Sequence, residues 1–206
     1  MPDNIKILLL ISSWGTGSTA VTGYLDKLGA YSCAPHFYTN DEKTPNSFEP
    51  LELRNLLNEY VNELDFKLKK DPKPFEEAFS NWISSQTSIA SEQGHTHLVF
   101  KHPLLIFFLP TVYRYCDASS VYITRNIEKV EQTRQRRKWP ENFGKVGALK
   151  IHKILYDLSL KMNKPVLQLP FESFTSNIES RLELIRYTGL RPSKEQITEA
   201  ENWIKR

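Results

Sequence analysis

Two hydrophobic rhythms alternate along the chain, and their alternation predicts its elements. "IKILLLIS" (Ile5 to Ser12) is apolar on both faces, the pattern of a strand buried inside a parallel sheet. From Ser18 to Gly29, Val21, Tyr24, Leu25 and Leu28 recur at helical spacing, and Gly29 closes the segment. Pro, Asn and Asp then punctuate Tyr31 to Pro50, which predicts a loop. Apolar stripes predict helices over Leu51 to Lys70, carrying Leu53, Leu57, Tyr60 and Leu64, and over Pro74 to Gln93, carrying Phe75, Phe79, Trp82 and Ile83. "HLVFK" (His97 to Lys101), "SSVYITR" (Ser119 to Arg125) and "PVLQLP" (Pro165 to Pro170) predict three more strands. Helices are expected between and after them, over Pro103 to Cys116, Asn126 to Lys138, Glu141 to Met162, Asn177 to Thr188 and Ser193 to Lys205.

Strands separated by helices call for right-handed crossovers and a sheet covered on both faces. The expected fold is a three-layer α/β/α sandwich around a central parallel sheet, as one domain over residues 1–206. Ligands of such sheets bind at the carboxyl ends of the strands. Three of those ends carry chemistry here: Ser13 to Thr19, Lys101–His102, and Arg125.

Composition narrows the class. With 206 residues, 40% hydrophobic and 25% charged, the chain has the make-up of a globular protein able to bury a core. The longest apolar run, Ile7 to Ile11, is too short to span a bilayer, and no cleavage pattern marks a signal peptide. Two cysteines, Cys33 and Cys116, make no disulfide framework and point to a reducing, cytoplasmic setting. A net charge of +3, from 27 basic against 24 acidic residues, is too small to imply a nucleic-acid partner. The local run "RQRRKW" (Arg134 to Trp139) reads as a basic wall around an anion or as a solvated helix face. His95 and His97 alternate without a cysteine or carboxylate pair to complete a zinc set, so no metal is expected.

The loop "SSWGTGST" after the first strand is built for a tetrahedral anion. Its glycines let amides turn inward, the following helix adds free N–H groups and a positive dipole end, and Ser18 and Thr19 add hydroxyls. A Walker A loop would need a lysine after Gly17, and there is none, so the handling of a triphosphate with magnesium loses its main cation. A tight turn of small residues without a ligand is the other reading. Downstream, "RNIEKVEQT" sets Arg125 at a strand end and Thr133 eight residues later, a guanidinium fork and a hydroxyl suited to a second phosphate. Two anion sites suggest a nucleotide phosphorylated on both its 5′ and 3′ sides.

These motifs resemble those of the sulfotransferases that use PAPS (3′-phosphoadenosine 5′-phosphosulfate). "GTGST" (Gly15 to Thr19) is similar to the family's [KR]-S-G-T-[ST] loop, with Gly15 at the basic position. "RNIEKVEQT" (Arg125 to Thr133) is similar to its R-N/D-x-x-[DE]-V-x-x-S segment, with Thr133 for serine and Lys129 where an acid can stand. "FKHPLLIFFLP" resembles the lysine-bearing strand end and the helix after it, and "PVLQLPFESF" the late strand. The likeness covers most of the chain in the expected order and is greatest to the compact bacterial or phage members. It implies a P-loop-like architecture, with Trp14, Gly15, Thr16, Gly17, Ser18 and Thr19 around the 5′-phosphosulfate and Arg125 and Thr133 on the 3′-phosphate. Trp14 would stack on a base or substrate ring, or pack on the sheet.

By the same resemblance, Lys101 is the first choice for the cation that assists transfer. His102, one position from the family's K-T-H-L-P histidine, is a candidate base, and His36 and Glu49 are rivals. Glu49 also suits a plain helix N-terminal role. The acceptor would be a hydroxyl or amine on a small molecule or glycan, shaped by the loop and helices of residues 31–95. Two alternatives stand beside this: a P-loop nucleotide or small-molecule kinase, and a module that binds PAP (3′,5′-diphosphoadenosine) without catalysis. Neither the acceptor nor the oligomeric state is written in the sequence.

Overall fold

The computed structural model describes residues 5–42, 44–161 and 164–205. Four parallel strands form the central sheet: β1 (Lys6–Ile11), β4 (His97–Lys101), β5 (Ala118–Thr124) and β6 (Val166–Pro170), in the order β4-β1-β5-β6. The expected strands are therefore present and parallel. β1 sits at the centre because its side chains are apolar on both faces. Leu9 and Ile11 join one buried cluster, with Leu53, Phe75, Phe79 and Phe100, while Leu8 and Leu10 join another, with Val21, Leu25, Phe174 and Leu184. The first cluster lies under α2 (Leu51–Tyr60), α3 (Lys73–Glu92), α4 (Leu109–Tyr115) and α6 (Lys145–Ser159); the second lies under α1 (Ser18–Lys27), α8 (Ile178–Thr188) and α9 (Lys194–Ile204). Two further helices, α5 (Ile127–Arg137) and α7 (Phe171–Ser176), begin at the carboxyl ends of β5 and β6.

The structure departs from the expected elements in five places, one of them α7, a short helix straight after β6 where none was expected. The predicted loop of residues 31–50 contains an antiparallel hairpin, β2 (His36–Tyr38) and β3 (Asn46–Pro50). Its polar residues are used inside it, as where Ser47 donates to the Phe37 carbonyl at 2.6 Å. The helix expected to reach Lys70 stops at Tyr60, and Val61 is extended. Asn62 and Asp65 turn their side chains onto the amides of Leu64 and Lys67, a local alternative to the helical ladder. The helix expected over Pro103 to Cys116 is a 3-10 segment, Pro103–Phe108, followed by α4, with Pro110 in the first turn of α4 where its missing N–H costs nothing. The helix expected from Glu141 opens as a short 3-10 turn and becomes α6 only after extended Gly144; its expected end at Met162 lies outside the described residues.

This register brings the chemistry to one end of the sheet. Leu10 pairs with Lys101, Ile11 with Tyr122 and Thr124 with Pro170, so the segments that follow β1, β5 and β6 leave side by side, next to Lys101 at the end of β4.

Candidate active site

The loop after β1 keeps its shape through its own residues. Gly15 and Gly17 take φ of 77° and 92°, a region that side-chain-bearing residues enter only with strain. Thr16 donates to the Ser13 carbonyl at 2.8 Å and closes the turn. Gly17 is the N-cap of α1 and offers no side chain, so no cap side chain engages the first-turn amides. Ser18 is buried in that turn. Thr19 points the other way, donating to the Ser47 carbonyl at 3.2 Å and fastening the hairpin to α1.

Arg125 closes over this loop. It donates to the Gly15 carbonyl at 2.8 Å and to Thr133 Oγ1 at 3.3 Å, so the two residues of the predicted second cradle meet each other and the loop. Its fork stands over the Phe171 ring at 5.1 Å, and that ring lies only 2.3 Å from where a Cβ on Gly17 would be. Glu172 Oε1 lies 3.8 Å from Arg125 Nε and 3.6 Å from Lys129 Nζ, so an acid already shares this corner. Burial draws the Arg125 pKa down, with Glu172 opposing. Arg125 Nε, Glu172 Oε1 and Ser12 Oγ are buried without a hydrogen-bond partner. Buried polar atoms left in that state are costly unless something pairs with them.

A second cluster adjoins the loop through Thr19. Lys101 Nζ lies 3.5 Å from Thr19 Oγ1 and 3.2 Å from Glu49 Oε1. Arg54, on α2, holds the other oxygen, Oε2, at 3.3 Å and reaches Glu63 at 3.3 Å. The His102 ring stands 3.7 Å from Glu49 Oε2. The cluster is shut from solvent, with Glu49, Lys101 and His102 at 6, 2 and 1% exposure. Burial by itself would raise the Glu49 pKa, but Lys101, His102 and Arg54 outweigh it and hold the carboxyl below its usual range. Burial pulls Lys101 down, and the pairing with Glu49 only partly restores it.

His102 is brought into the cluster in a form unsuited to accepting a proton. The Leu104 amide donates to Nδ1 at 3.2 Å, capping the 3-10 segment, so the ring proton must sit on Nε2. Nε2 then faces the Glu49 carboxylate as a donor, and its 3.3 Å approach to Arg54 Nη1 is a contact of two donors rather than a hydrogen bond. Burial lowers the His102 pKa to about 4. His36 is not brought in at all. Its Nε2 donates to the Ser32 carbonyl at 2.9 Å and its Nδ1 accepts from Asn46 at 3.0 Å, which uses both nitrogens to brace the hairpin.

Trp14 is buried, stacked on Phe143 at 4.2 Å with Phe66 5.8 Å away and the His102 ring edge-on at 6.3 Å. Its rings' neighbours are aromatic side chains of this chain. The basic run of α5 is also engaged: Arg134 pairs with Glu131, while Arg136 and Arg137 both reach Asp41 in the hairpin turn. Sequence reading missed Arg54. Its one signal was a cation beside the apolar stripe of α2, one turn after Pro50, and nothing local tied it to Glu49. Among the described residues no group of three or more His, Cys, Asp or Glu side chains is placed to hold a metal ion.

No protein-family model matches the chain, and no curated protein matches it in sequence. Solved structures do. The fold is similar to that of sulfotransferase STF1 from Mycobacterium tuberculosis, at 12% identity and a TM-score of 0.54, over 98% of this chain and 72% of that one. Sulfotransferase STF9 from Mycobacterium avium aligns over 98% of this chain and 68% of its own, at 12% identity and a TM-score of 0.49. A central parallel sheet flanked by helices, with glycine loop, Arg125 and Lys101 gathered at its carboxyl end, is thus an α/β fold shared with a sulfotransferase.

Proposed function

We propose that the chain is a PAPS-dependent sulfotransferase acting on a hydroxyl, or an amine, of a small molecule or glycan. The observation that carries the reading is the buried Glu49–Lys101 pair set against Thr19 of the glycine loop. It puts a base and a cation beside the loop that would receive an activated sulfuryl group. The polar atoms there fit a doubly phosphorylated nucleotide: uncapped amides at the start of α1, and at Arg125 a buried Nε that makes no hydrogen bond and faces only Glu172, at 3.8 Å. PAPS supplies a sulfuryl group on a good leaving phosphate. The acceptor oxygen bonds to sulfur as the sulfur–phosphate oxygen bond breaks, and PAP departs.

Each residue then has a task. Glu49, ionised and hydrogen-bonded, takes the proton of the acceptor hydroxyl. Lys101 places positive charge beside the loop, where the leaving oxygen gains negative charge, and stands in for the basic residue that Gly15 replaces. Arg54 holds Glu49 by one oxygen and so positions the other. His102, neutral, caps the following segment and steadies Glu49. Arg125 and Thr133 take the 3′-phosphate, which requires Glu172 to withdraw from the guanidinium. Because the cluster is closed to solvent, the hairpin and the 61–72 segment must part for an acceptor to reach it.

Thermal unfolding with PAP, ATP and AMP tests this, since a ligand bound only by the folded state raises the melting temperature. PAP should stabilise far more than AMP, and Arg125→Ala should remove most of that difference. Equal shifts from PAP and AMP would overturn the assignment of Arg125. Stabilisation by PAP without sulfuryl transfer to any of a panel of phenols, sugars and amines would favour the non-catalytic module, which the missing loop cation and the shut cluster also suit.

A further inference from the structure

Helix α6 has two apolar faces, and only one of them is used. Gly147, Ala148 and Ile151 are buried beneath it. On its outer side Val146, Leu149, Tyr156 and Leu160 stand 36, 54, 64 and 71% exposed. With Lys153 in the gap, they follow one another at alternating steps of three and four residues, which is a straight line along a helix. Residues 61–70 run beside the amino end of α6, joined to it by Asn142 donating to the Leu64 carbonyl and by Lys150 over the Phe66 ring at 5.6 Å. That segment adds Leu64 and Leu68, 55 and 56% exposed. Exposed large apolar residues gathered on one side of a protein mark a surface that meets something.

Charge says what it meets. On α6 and just beyond its ends, Lys145, Lys150, Lys153 and Lys161 outnumber Glu141 and Asp157, whereas the neighbouring segment is mixed, with Lys67, Lys69 and Lys70 among Glu59, Glu63, Asp65 and Asp71. Lys67, Lys70 and Lys145 have carboxylate neighbours, Asp65, Glu59 and Glu128, whereas no ion pair engages Lys153 or Lys161 among the described residues. A second copy of the chain is a poor occupant. A twofold pairing of the stripe about its middle would press Lys150 and Lys153 against the same lysines of the copy, a like-charge arrangement that interfaces avoid.

We propose that this face docks the protein on an anionic lipid bilayer, with α6 lying in the headgroup plane. The apolar line would enter the boundary of the acyl chains while the lysine stems reach outward to lipid phosphates. Tyr156 suits that boundary, with an apolar ring and a polar tip. The association is peripheral, since no helix among the described residues is long and apolar enough to cross a membrane. Phe66, on the same segment, is 5.8 Å from Trp14, so docking turns that flank of the buried cluster toward the lipid. The inference stands on the surface alone and does not depend on sulfuryl transfer.

Co-sedimentation with vesicles tests it, comparing phosphatidylcholine alone with a phosphatidylcholine–phosphatidylglycerol mixture. The protein should pellet with the anionic mixture, stay in solution with the neutral vesicles, and be released by salt. Leu149→Asp and Lys153→Glu should each weaken partitioning by about tenfold or more, with unchanged melting temperatures because both side chains are exposed. No pelleting with either vesicle, equal pelleting with both, or variants that bind like the parent would overturn the proposal. So would a concentration-dependent dimer abolished by Leu149→Asp, which would give the face to a second copy.

Discussion

Replacing Glu49 by glutamine keeps the shape of the side chain and removes its charge, which isolates what the buried ion pair does for the fold. Lys101 is 2% exposed and its ammonium lies 3.2 Å from Glu49 Oε1. At that separation, and an effective dielectric of about 20, the attraction is about 5 kcal/mol before desolvation is counted. Removing one partner of a buried pair leaves the other charge unmatched, at a cost of about 3–5 kcal/mol. Glu49→Gln should therefore destabilise the protein by about 3–5 kcal/mol at pH 7. Lys101→Met should cost less, about 1–3 kcal/mol, because Arg54 still pairs with Glu49 at 3.3 Å. The double variant should fall short of the sum by about 2 kcal/mol or more, as residues in one network do. Urea unfolding of the four proteins, compared by midpoint and slope, provides the cycle. A loss under about 1 kcal/mol for Glu49→Gln, or simple additivity, would show that the pair is not a buried pair in solution and would remove the basis for treating it as a catalytic couple.

The remaining expectations follow from the same geometry. His102 falls from 6.5 to about 4 on folding, so the unfolded chain binds a proton there that the native protein refuses. Stability should thus rise with pH between about 4 and 6.5, by about 3 kcal/mol in all; His102→Asn, which can keep the cap, should flatten that slope, and an unchanged slope would refute the buried, neutral ring. Glu49 is lowered, so its contribution is present above its ordinary pKa and is lost as pH falls below it. A Glu49 base therefore predicts transfer rates that hold between pH 7.5 and about 5.5; a fall with an apparent pKa near 6.5 would point to a histidine instead. Gly17→Ala combines a left-handed backbone with overlap onto the Phe171 ring, and should cost about 2–4 kcal/mol in a thermal or urea melt. Adding Phe171→Ala should recover the steric part of that loss, and no recovery would mean the ring does not rest on the glycine.

Much of the site was legible because its parts are local. A strand, a glycine turn and a helix start within fifteen residues define the loop, and Arg125, just after β5, is eight residues before Thr133 on α5. Glu49 and Lys101 were each named singly, but their pairing spans the hairpin and two helices, and no local pattern encodes it. Arg54 is only five residues from Glu49, but the two lie on different elements, one ending β3 and one on α2, so neither a strand nor a helix pattern pairs them. His102 looked like a base by position, and only burial and the Leu104 amide revealed a proton held on the other nitrogen.

Taken alone, the sequence determined the layers. Strands apolar on both faces, broken by amphipathic helices, leave few arrangements besides a covered parallel sheet, since each apolar face has to be buried somewhere. Tertiary structure decided the rest: that residues 31–50 pair as a hairpin, that α2 yields to side-chain-bonded turns at Asn62 and Asp65, and that Glu49 meets Lys101. The last joins residues far apart in the chain, where desolvation and pairing set the energy; the other two are local, but they turn on side-chain hydrogen bonds, such as that of Asn62 to the Leu64 amide, which a pattern of hydrophobic positions does not record.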